Sequence, residues 1–298
     1  MGLRIVYGKS GSGKSTFCFS EIANLINKEK KIYIITPEQF SFTAEKKLMD
    51  EIKSGAVINA EVITLSRMAY RVMQLVGGEA RTKLTKCGKS MILYSTLNKY
   101  KKDFKFLNKS DENIDLCMSS ISEFKKHGVT PQNLKDEIEK LDDEYLKAKL
   151  NDMFLVYQNF ENIIQNEYIE DEDLLTYLVE NVDKTDLLTD SVIYIDEFSG
   201  FTYQEYEILK KFIKNAKQVT LTVCTDSLNE SLEPETDIFY SNKITIFKIL
   251  NLVNEDNLIL EKPIYLDQSP RFKNEELKFL EQNLFNIKQK KYEKILII

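Results

Sequence analysis

The chain has 298 residues, of which 43% are hydrophobic and 30% charged, with a formal net charge of −6. This length supports one large domain or two ordinary ones, and the acidic balance argues against a simple basic nucleic-acid coat. His127 is the only histidine, which argues against Ser-His-Asp, Cys-His and histidine-rich metal chemistry. The four cysteines form no C-x-x-C pair, and no apolar run reaches the length of a membrane span. Composition therefore predicts a cytoplasmic protein without a membrane partner.

The first predicted strand, residues 3–7, runs into a glycine-rich loop at residues 8–15, and a helix is predicted over residues 16–26. The loop matches G-x-x-x-x-G-K-[ST] between a strand and a helix, as a phosphate-binding loop requires. Its glycines let the backbone curl round an anion, and its N–H groups and the helix N-terminus point at the phosphates. The flanking strand and helix argue against a chance match.

This loop predicts a site for ATP and Mg²⁺. Lys14 is expected to reach the β- and γ-phosphates, and the Ser15 hydroxyl can ligate Mg²⁺. The predicted nucleotide-binding residues of the loop and its flank are Gly8, Gly11, Ser12, Gly13, Lys14, Ser15 and Thr16.

Strands and helices alternate after the loop. Strands are predicted over residues 31–36 and 60–65, and helices over residues 38–49 and 66–76. Such alternation predicts a doubly wound, mostly parallel sheet, whose ligands lie at the carboxyl ends of the strands.

Gly77 and Gly78 end this alternation, and apolar residues then recur at helical spacing over residues 86–183. The sheet pattern resumes near Ser191. The fold class predicted is therefore α/β with an inserted, all-helical subdomain. Its predicted parts are residues 1–79 (first part of the sheet domain), 80–185 (helical subdomain) and 186–298 (second part of the sheet domain).

The C-terminal third supplies the remaining predicted elements. They are strands over residues 190–198 and 218–226, a loop over 227–241, a helix over 244–252 and a strand-like stretch over 258–266. Residues 294–298 read as half of a buried strand, which predicts that the chain is the N-terminal piece of a longer protein.

Asp196 and Glu197 end the first of these strands and are predicted to complete the phosphate site. Asp196 is expected to hold Mg²⁺ opposite Ser15, directly or through water. Glu197 is expected to polarise the attacking water. An ordinary acidic strand end is the alternative, which the loop upstream disfavours. The predicted catalytic residues are thus Lys14 and Glu197, and the predicted metal ligands Ser15 and Asp196.

Four segments carry a resemblance to a known family. They are the loop and the sequences TPEQFSFTAE at residues 36–45, VITLSRMA at 62–69 and IDEFSGFT at 195–202. With the helical insertion, they resemble superfamily 1 helicases of the UvrD/RecB type. More closely, the chain is similar to the N-terminal portion of the AddB family, the B subunits of bacterial ATP-dependent helicase/deoxyribonucleases. The similarity covers essentially the whole chain.

The resemblance implies a RecA-like P-loop NTPase domain that binds single-stranded DNA in recombinational repair of double-strand breaks. It also implies a heterodimer with an AddA-type helicase/nuclease subunit, and an iron–sulfur cluster in a C-terminal nuclease outside this sequence. By position, the expected nucleic-acid contacts are Gln39, Phe40, Ser41, Thr43, Ser66 and Arg67, with Phe42 as a further stacking face. Core phenylalanines and helix-capping polar groups are the alternative for each.

The sequence also departs from that family. Only seven residues precede Gly8, so the glutamine segment that reads adenine in active helicases is missing. No nearby glutamine follows Asp226, and the second motor domain with its arginine finger lies outside the sequence. We therefore expect ATP binding with poor turnover. Two other functions stay open: a stand-alone P-loop kinase or NTPase, and a DNA-binding scaffold with a structural nucleotide site.

Overall fold

A computed structural model describes residues 2–52, 59–77, 81–107, 113–165, 167–228, 237–268 and 270–284. The strands in these ranges are β1 (Leu3–Gly8), β2 (Lys31–Ile35), β3 (Ala60–Ile63), β4 (Thr82–Lys83), β5 (Tyr168–Ile169), β6 (Ser191–Ile195), β7 (Gln218–Cys224) and β8 (Ile264–Tyr265). The helices are α1 (Lys14–Leu25), α2 (Glu38–Ile52), α3 (Leu65–Val76), α4 (Lys86–Lys99), α5 (Asn113–Lys126), α6 (Pro131–Glu139), α7 (Glu144–Ile164), α8 (Asp171–Asn181), α9 (Tyr203–Asn215), α10 (Tyr240–Glu255) and α11 (Glu275–Asn283). The half-strand predicted at residues 294–298 lies outside the described residues.

Contacts divide the chain into two compact units. The first unit comprises Met1–Ile63, Thr189–Gly200 and Ala216–Ile298, and the second comprises Thr64–Leu188 and Phe201–Asn215. Helices α3 and α9 belong to the second unit because both pack against α8. The second unit therefore includes more of the chain than the insertion predicted at residues 80–185.

The first unit is built on a six-stranded sheet in the order β3-β2-β6-β7-β1-β8, and every pairing within it is parallel. The α/β class and the mostly parallel sheet are thus confirmed. Along β1 and β7, Leu3 lies opposite Val219 and Gly8 opposite Cys224. The two strands therefore end at the same edge, where the glycine-rich loop begins.

The core of the first unit lies between this sheet and its covering helices. All five residues of β6 are buried, as expected for a parallel strand covered on both faces. Helix α1 contributes Phe19 and Ile22 to this core, and α2 contributes Leu48. Burying one such side chain stabilises the fold by about 1.5–3 kcal/mol. This packing anchors α1, whose N-terminus carries the glycine-rich loop.

Two predicted strands differ most from expectation. Strand β6 stops at Ile195 because Glu197 adopts a left-handed backbone with φ of 65°. The stretch predicted at residues 258–266 gives only β8 and an isolated parallel bridge between Leu260 and Leu3. Pro263 lies between them and has no N–H to donate to a ladder.

The second unit is mostly helical, but the prediction that the insertion at residues 80–185 is all-helical is wrong. β4 and β5 pair in parallel, Thr82 with Tyr168 and Lys83 with Ile169. Two-residue strands are too short to show an alternating pattern, so no periodicity indicates them. Helices α4, α5, α6 and α7 share a core that includes Leu93, Ile121 and Phe160. Among the described helices, none is both long and apolar enough to cross a membrane.

A buried ion network stabilises the second unit. The Nζ of Lys125 lies 2.8 Å from Glu161, 2.6 Å from Glu170 and 2.8 Å from Asp173, and Lys89 lies 2.5 Å from Glu170. Burial alone would lower the pKa of Lys125, but the attraction of the three carboxylates outweighs it and raises that pKa. The network thereby holds α5, α7 and the start of α8 together.

Candidate functional site

A cavity of about 430 Å³ lies at the carboxyl edge of the sheet in the first unit. The loop and the start of α1 supply Ser10, Gly11, Gly13, Lys14, Ser15 and Thr16 to its walls. Its other walls come from Lys47, Asp196, Glu197, Phe198, Ser199, Thr222, Cys224, Asn242, Pro270 and Arg271. The cavity therefore brings together the loop and both acids that the sequence predicts.

The loop needs glycine at several positions. Gly11 and Gly13 have φ of 82° and 89°, in the left-handed region that side chains disfavour. Glycine is needed at position 8 for a different reason, because a Cβ there would lie 2.4 Å from the carbonyl oxygen of Leu266. The loop is thus shaped by its own backbone and by the close approach of the chain after β8.

Lys14 folds back onto the loop. Its Nζ donates hydrogen bonds to the carbonyl oxygens of Gly8, at 2.8 Å, and Lys9, at 2.9 Å. Partial burial lowers the pKa of Lys14, an effect that the nearby acids oppose. The ammonium group is therefore held at the loop with a proton-donating face available to an anion in the cavity.

Ser15 and Glu197 meet across the cavity although 182 residues separate them. The Ser15 hydroxyl donates to Glu197 Oε1 at 3.3 Å. Lys47 Nζ lies 3.9 Å from the same oxygen. Glu197 is one of three non-glycine residues with positive φ in the described chain, and such strain clusters at functional sites. The geometry therefore aims the Glu197 carboxylate at the helix that starts at Lys14.

Asp196 is 4% exposed and accepts a hydrogen bond of 2.5 Å from the Thr222 hydroxyl. Ser15, Asp196 and Glu197 present oxygen atoms, which are the ligands that Mg²⁺ prefers. No cluster of three or more His, Cys, Asp or Glu side chains suited to a metal occurs in the described ranges. Magnesium sites that rely on one or two protein ligands plus substrate phosphates have this character. The residues present therefore fit Mg²⁺.

A network of hydrogen bonds around Glu21 joins α1 to the sheet. Glu21 accepts a hydrogen bond from Arg4 at 2.9 Å and one from the Tyr194 hydroxyl at 2.8 Å. Arg4 also donates to Thr220 at 2.9 Å. Burial and the neighbouring Glu21 raise the pKa of Tyr194, so its proton stays available for this bond. The network joins α1 to β1, β6 and β7, which fixes the helix relative to the acids.

Arg271 is the main residue that sequence reasoning missed. Its guanidinium lies 3.3 Å from the Ser10 hydroxyl, and a Cβ at Gly11 would lie 2.9 Å from its Nε. Pro270 lies over Gly13 at 3.9 Å from an added Cβ. No pattern in residues 266–274 indicates this contact, because the segment reaches the loop only through the pairing of β8 with β1.

The predicted nucleotide residues do not all line the cavity. Gly8 lies beside Leu266, and Ser12 lines a neighbouring cavity instead. Thr222, which orients Asp196, was also missed. It lies near the carboxyl end of the strand next to β6, and adjacency of strand ends is the signal that could have found it.

The predicted nucleic-acid residues are split between the units. Gln39 and Thr43 are exposed on α2, Phe40 is half-buried, and Ser41 donates to the carbonyl of Glu38 at 2.9 Å. Phe40 and Thr43 line a small cavity beside Glu197. Phe42 is 76% exposed.

Ser66 and Arg67 lie in the first turn of α3, in the second unit. Ser66 is half-buried and Arg67 exposed. The Arg67 backbone N–H donates to the Thr64 hydroxyl, which caps the helix. The structure thus places these two residues in a different unit from residues 39–43.

Residues 5–281 match the family model described as ADDB, N-terminal. The chain belongs to this family. The matched residues include most of β1, the glycine-rich loop, Asp196, Glu197 and Arg271. The resemblance to the AddB family is therefore confirmed.

Three relatives of the chain share one description, the B subunit of an ATP-dependent helicase/deoxyribonuclease. The protein from Clostridium tetani (strain Massachusetts / E88) is 40% identical over 306 residues, covering 99% of the chain and 27% of the relative. That from Clostridium botulinum (strain Langeland / NCTC 10281 / Type F) is 37% identical, covering 98% and 26%. That from Thermoanaerobacter sp. (strain X514) is 36% identical, covering 99% and 26%. The chain thus spans about a quarter of the length of these relatives.

Proposed function

We propose that this chain is the nucleotide- and DNA-binding N-terminal region of a helicase/deoxyribonuclease of the AddB type. Its glycine-rich loop binds ATP with Mg²⁺, on a RecA-like P-loop fold with residues 80–185 as an inserted subdomain. The whole protein acts in recombinational repair of DNA double-strand breaks in the cytoplasm, paired with an AddA-type subunit. The relatives' name, with its helicase, nuclease and subunit terms, supports this assignment.

One observation carries the nucleotide part of the proposal. The Ser15 hydroxyl and the Glu197 carboxylate, 182 residues apart, lie 3.3 Å from each other in a cavity that Lys14 and Asp196 also line. If Glu197 were only an acidic residue at the end of a strand, nothing would require it to contact the serine that ends the G-x-x-x-x-G-K-[ST] loop. The pairing is what a metal–phosphate site requires.

Each residue then has a distinct role. Lys14 exchanges its bonds to the loop carbonyls for the phosphate oxygens, which are stronger acceptors because they are charged. Ser15 and Asp196 hold Mg²⁺, which neutralises charge on the phosphates. Glu197 accepts a proton from the attacking water. Arg271 adds a second cation beside the loop.

DNA contact is the other part of the proposal. Exposed polar groups at Gln39 and Thr43 and the ring of Phe42 suit a single strand, whose backbone takes hydrogen bonds and whose bases stack. Ser66 and Arg67, which belong to the second unit, are separate candidates for contacts to DNA phosphates.

Calorimetric titration with MgATP tests the nucleotide site. Wild type should bind, and Lys14→Ala should lose most of that affinity. Lys28→Ala, which removes an exposed lysine in the turn after α1, should bind like wild type. Equal affinity of wild type and Lys14→Ala would defeat the assignment. Single-stranded DNA binding by Lys14→Ala without nucleotide is measured in parallel, because a scaffold with a structural nucleotide site would lose folding stability and keep its DNA affinity.

A further inference from the structure

The chain that leaves the end of α4 carries a cluster of lysines in the second unit. Residues 99–105 include Lys99, Lys101, Lys102 and Lys105, with Asp103 as the only acid among them. All four lysines are exposed, and they are called the lysine cluster below. The whole chain has 41 basic and 47 acidic residues, so this excess of positive charge is a local feature.

The lysine cluster is not neutralised by the protein. Among the described residues, no carboxylate forms an ion pair with any of its four ammonium groups. The Nζ of Lys99 lies 5.1 Å from the ring centroid of Tyr100, a cation–π contact that leaves the charge in place. Lys125 of the same unit, by contrast, lies within 2.8 Å of three carboxylates. The lysine cluster is therefore available to an anion from outside the chain.

The backbone beneath the lysine cluster is held by buried groups. Asp152 of α7 is 4% exposed, and its carboxylate accepts hydrogen bonds of 2.7 to 3.2 Å from the backbone N–H groups of residues 105–107. Phe104 is buried, and the Tyr100 hydroxyl donates to Asn159 at 2.8 Å. Binding groups that are positioned in advance lose less conformational entropy when a ligand arrives. The turn thus presents its lysines from a fixed backbone.

The lysine cluster offers charge without a stacking surface. Its two aromatic residues are Tyr100, which is half-buried, and Phe104, which is buried. Tyr145 of α7 is exposed, but it directly follows three acids at residues 142–144, whose charge repels phosphates. Single-strand sites combine a basic groove with rings on which bases stack, whereas a duplex keeps its bases stacked inside and presents its phosphates. The lysine cluster therefore suits the backbone of duplex DNA.

The negative net charge of the chain is compatible with such a contact. At physiological ionic strength the Debye length is about 8 Å, so exposed acids farther away are largely screened from a phosphate at the lysine cluster. A duplex carries one charge per about 1.7 Å of its axis, and each lysine that neutralises a phosphate releases condensed counterions. Local charge therefore decides the interaction.

We propose that the lysine cluster binds the phosphate backbone of double-stranded DNA, as a surface distinct from the residues of α2 and α3 proposed to contact a single strand. This inference rests on the proposed function only in taking DNA as the polyanion. Contacts to phosphates carry no sequence information directly. The lysine cluster thus adds affinity for any duplex, whatever its sequence.

The test measures binding of the whole chain to a fluorescent duplex and to a single strand of the same length over a range of salt concentrations. The triple variant Lys101→Gln/Lys102→Gln/Lys105→Gln should bind the duplex more weakly at low salt. Its slope of log affinity against log salt concentration should be less negative by about 3, which is about 1 for each lost phosphate contact. Its affinity for the single strand should change less than its affinity for the duplex.

The matched control removes the same charge from the same unit. It is the triple variant Lys126→Gln/Lys135→Gln/Lys140→Gln. Lys126 lies 3.3 Å from Glu123 and Lys140 lies 2.6 Å from Glu137, so two of its three lysines already have a carboxylate. The control should keep the wild-type slope for the duplex. Thermal unfolding of both variants checks that they fold like wild type.

The outcomes separate this inference from the proposed function. The inference is overturned if the cluster variant keeps the wild-type slope, loses no more duplex affinity than the control, or loses affinity equally for the two forms of DNA. It also fails, by itself, if wild type binds the single strand and no duplex. If wild type binds neither form, the DNA part of the proposed function fails and this inference fails with it.

Discussion

The Thr222 hydroxyl donates a 2.5 Å hydrogen bond to the carboxylate of Asp196, and so joins the ends of two neighbouring strands, β7 and β6. Asp196 is 4% exposed and has little water around it, so its orientation depends on this bond. The proposed metal ligand is therefore positioned by a residue that itself carries no charge.

Thr222→Val should lower the free energy of unfolding by about 1–3 kcal/mol, because it leaves a buried carboxylate without this donor. It should also weaken ATP binding in the presence of Mg²⁺ more than in EDTA. Thr225→Val removes a nearby buried hydroxyl that bonds the carbonyl of Ser227 instead, and should lower stability without changing magnesium dependence. Denaturant unfolding and calorimetry measure the two effects. An unchanged magnesium dependence in Thr222→Val would contradict the role of Asp196.

Gly11→Ala should be more destabilising than an ordinary left-handed glycine substitution. A left-handed backbone costs a side-chain residue about 1–2 kcal/mol, and an added Cβ would also press on Arg271 at 2.9 Å. Gly77 has φ of 77°, and no described residue comes within 4 Å of a Cβ added there, so Gly77→Ala measures the backbone cost. Adding Arg271→Ala to Gly11→Ala should recover only part of the excess, because the Cβ of residue 271 itself lies 3.0 Å from the added atom. Equal losses in the two single variants would show that Arg271 does not press on the loop.

Phosphate release by the isolated chain should stay below ~1 s⁻¹, with little stimulation by single-stranded DNA. An arginine finger typically contributes ~10³–10⁵ in rate, and this prediction assumes that none completes the site. Arg271 is a cation of the same chain beside Ser10, so it is the first residue to test if turnover is faster. Arg271→Ala and Arg271→Lys would then both be slow if the planar guanidinium is the missing group, whereas a rapid Arg271→Ala would exclude it.

Phe42→Ala should weaken binding to a fluorescent single-stranded oligonucleotide by about 1–3 kcal/mol, the range for loss of one stacked base. The ring is 76% exposed, so its removal should leave stability unchanged. Met49→Ala truncates a 46% exposed side chain of the same helix and should not alter DNA affinity. Phe40 is half-buried, so Phe40→Ala should act mainly on stability. Undiminished DNA affinity in Phe42→Ala would remove α2 from the proposed DNA path.

Thiol labelling reports on the first cavity without a nucleotide assay. Cys87 is exposed and should react fast, whereas Cys18 and Cys117 are buried. Burial raises the pKa of Cys117 to about 11, so little thiolate forms at pH 8. Cys224 lines the cavity, and in a Cys87→Ser background its labelling should slow when MgATP is added. Labelling of Cys224 at the same rate with and without MgATP would contradict its place in the site.

Local chemistry explains what the sequence could predict. The spacing of Gly11, Gly13 and Lys14 fixes a loop conformation within eight residues, and apolar runs predict the parallel strands because buried strands need them. Asp196 and Glu197 were foreseeable as partners of the loop because carboxyl ends of parallel strands share an edge.

Tertiary structure alone decided the rest, because those contacts join segments with no local pattern in common. Arg271 reaches the loop through β8, whose two residues are too few to show a period. The two-residue strands β4 and β5 could not be predicted from the sequence for the same reason. On α2, sequence alone does not distinguish Phe40 from Phe42 as a candidate for stacking on DNA bases. Packing places the Phe40 ring beside the cavity with Glu197 and leaves the Phe42 ring exposed to water. A helix fixes the angle between two side chains, but the surface that covers one of them comes from elsewhere in the chain.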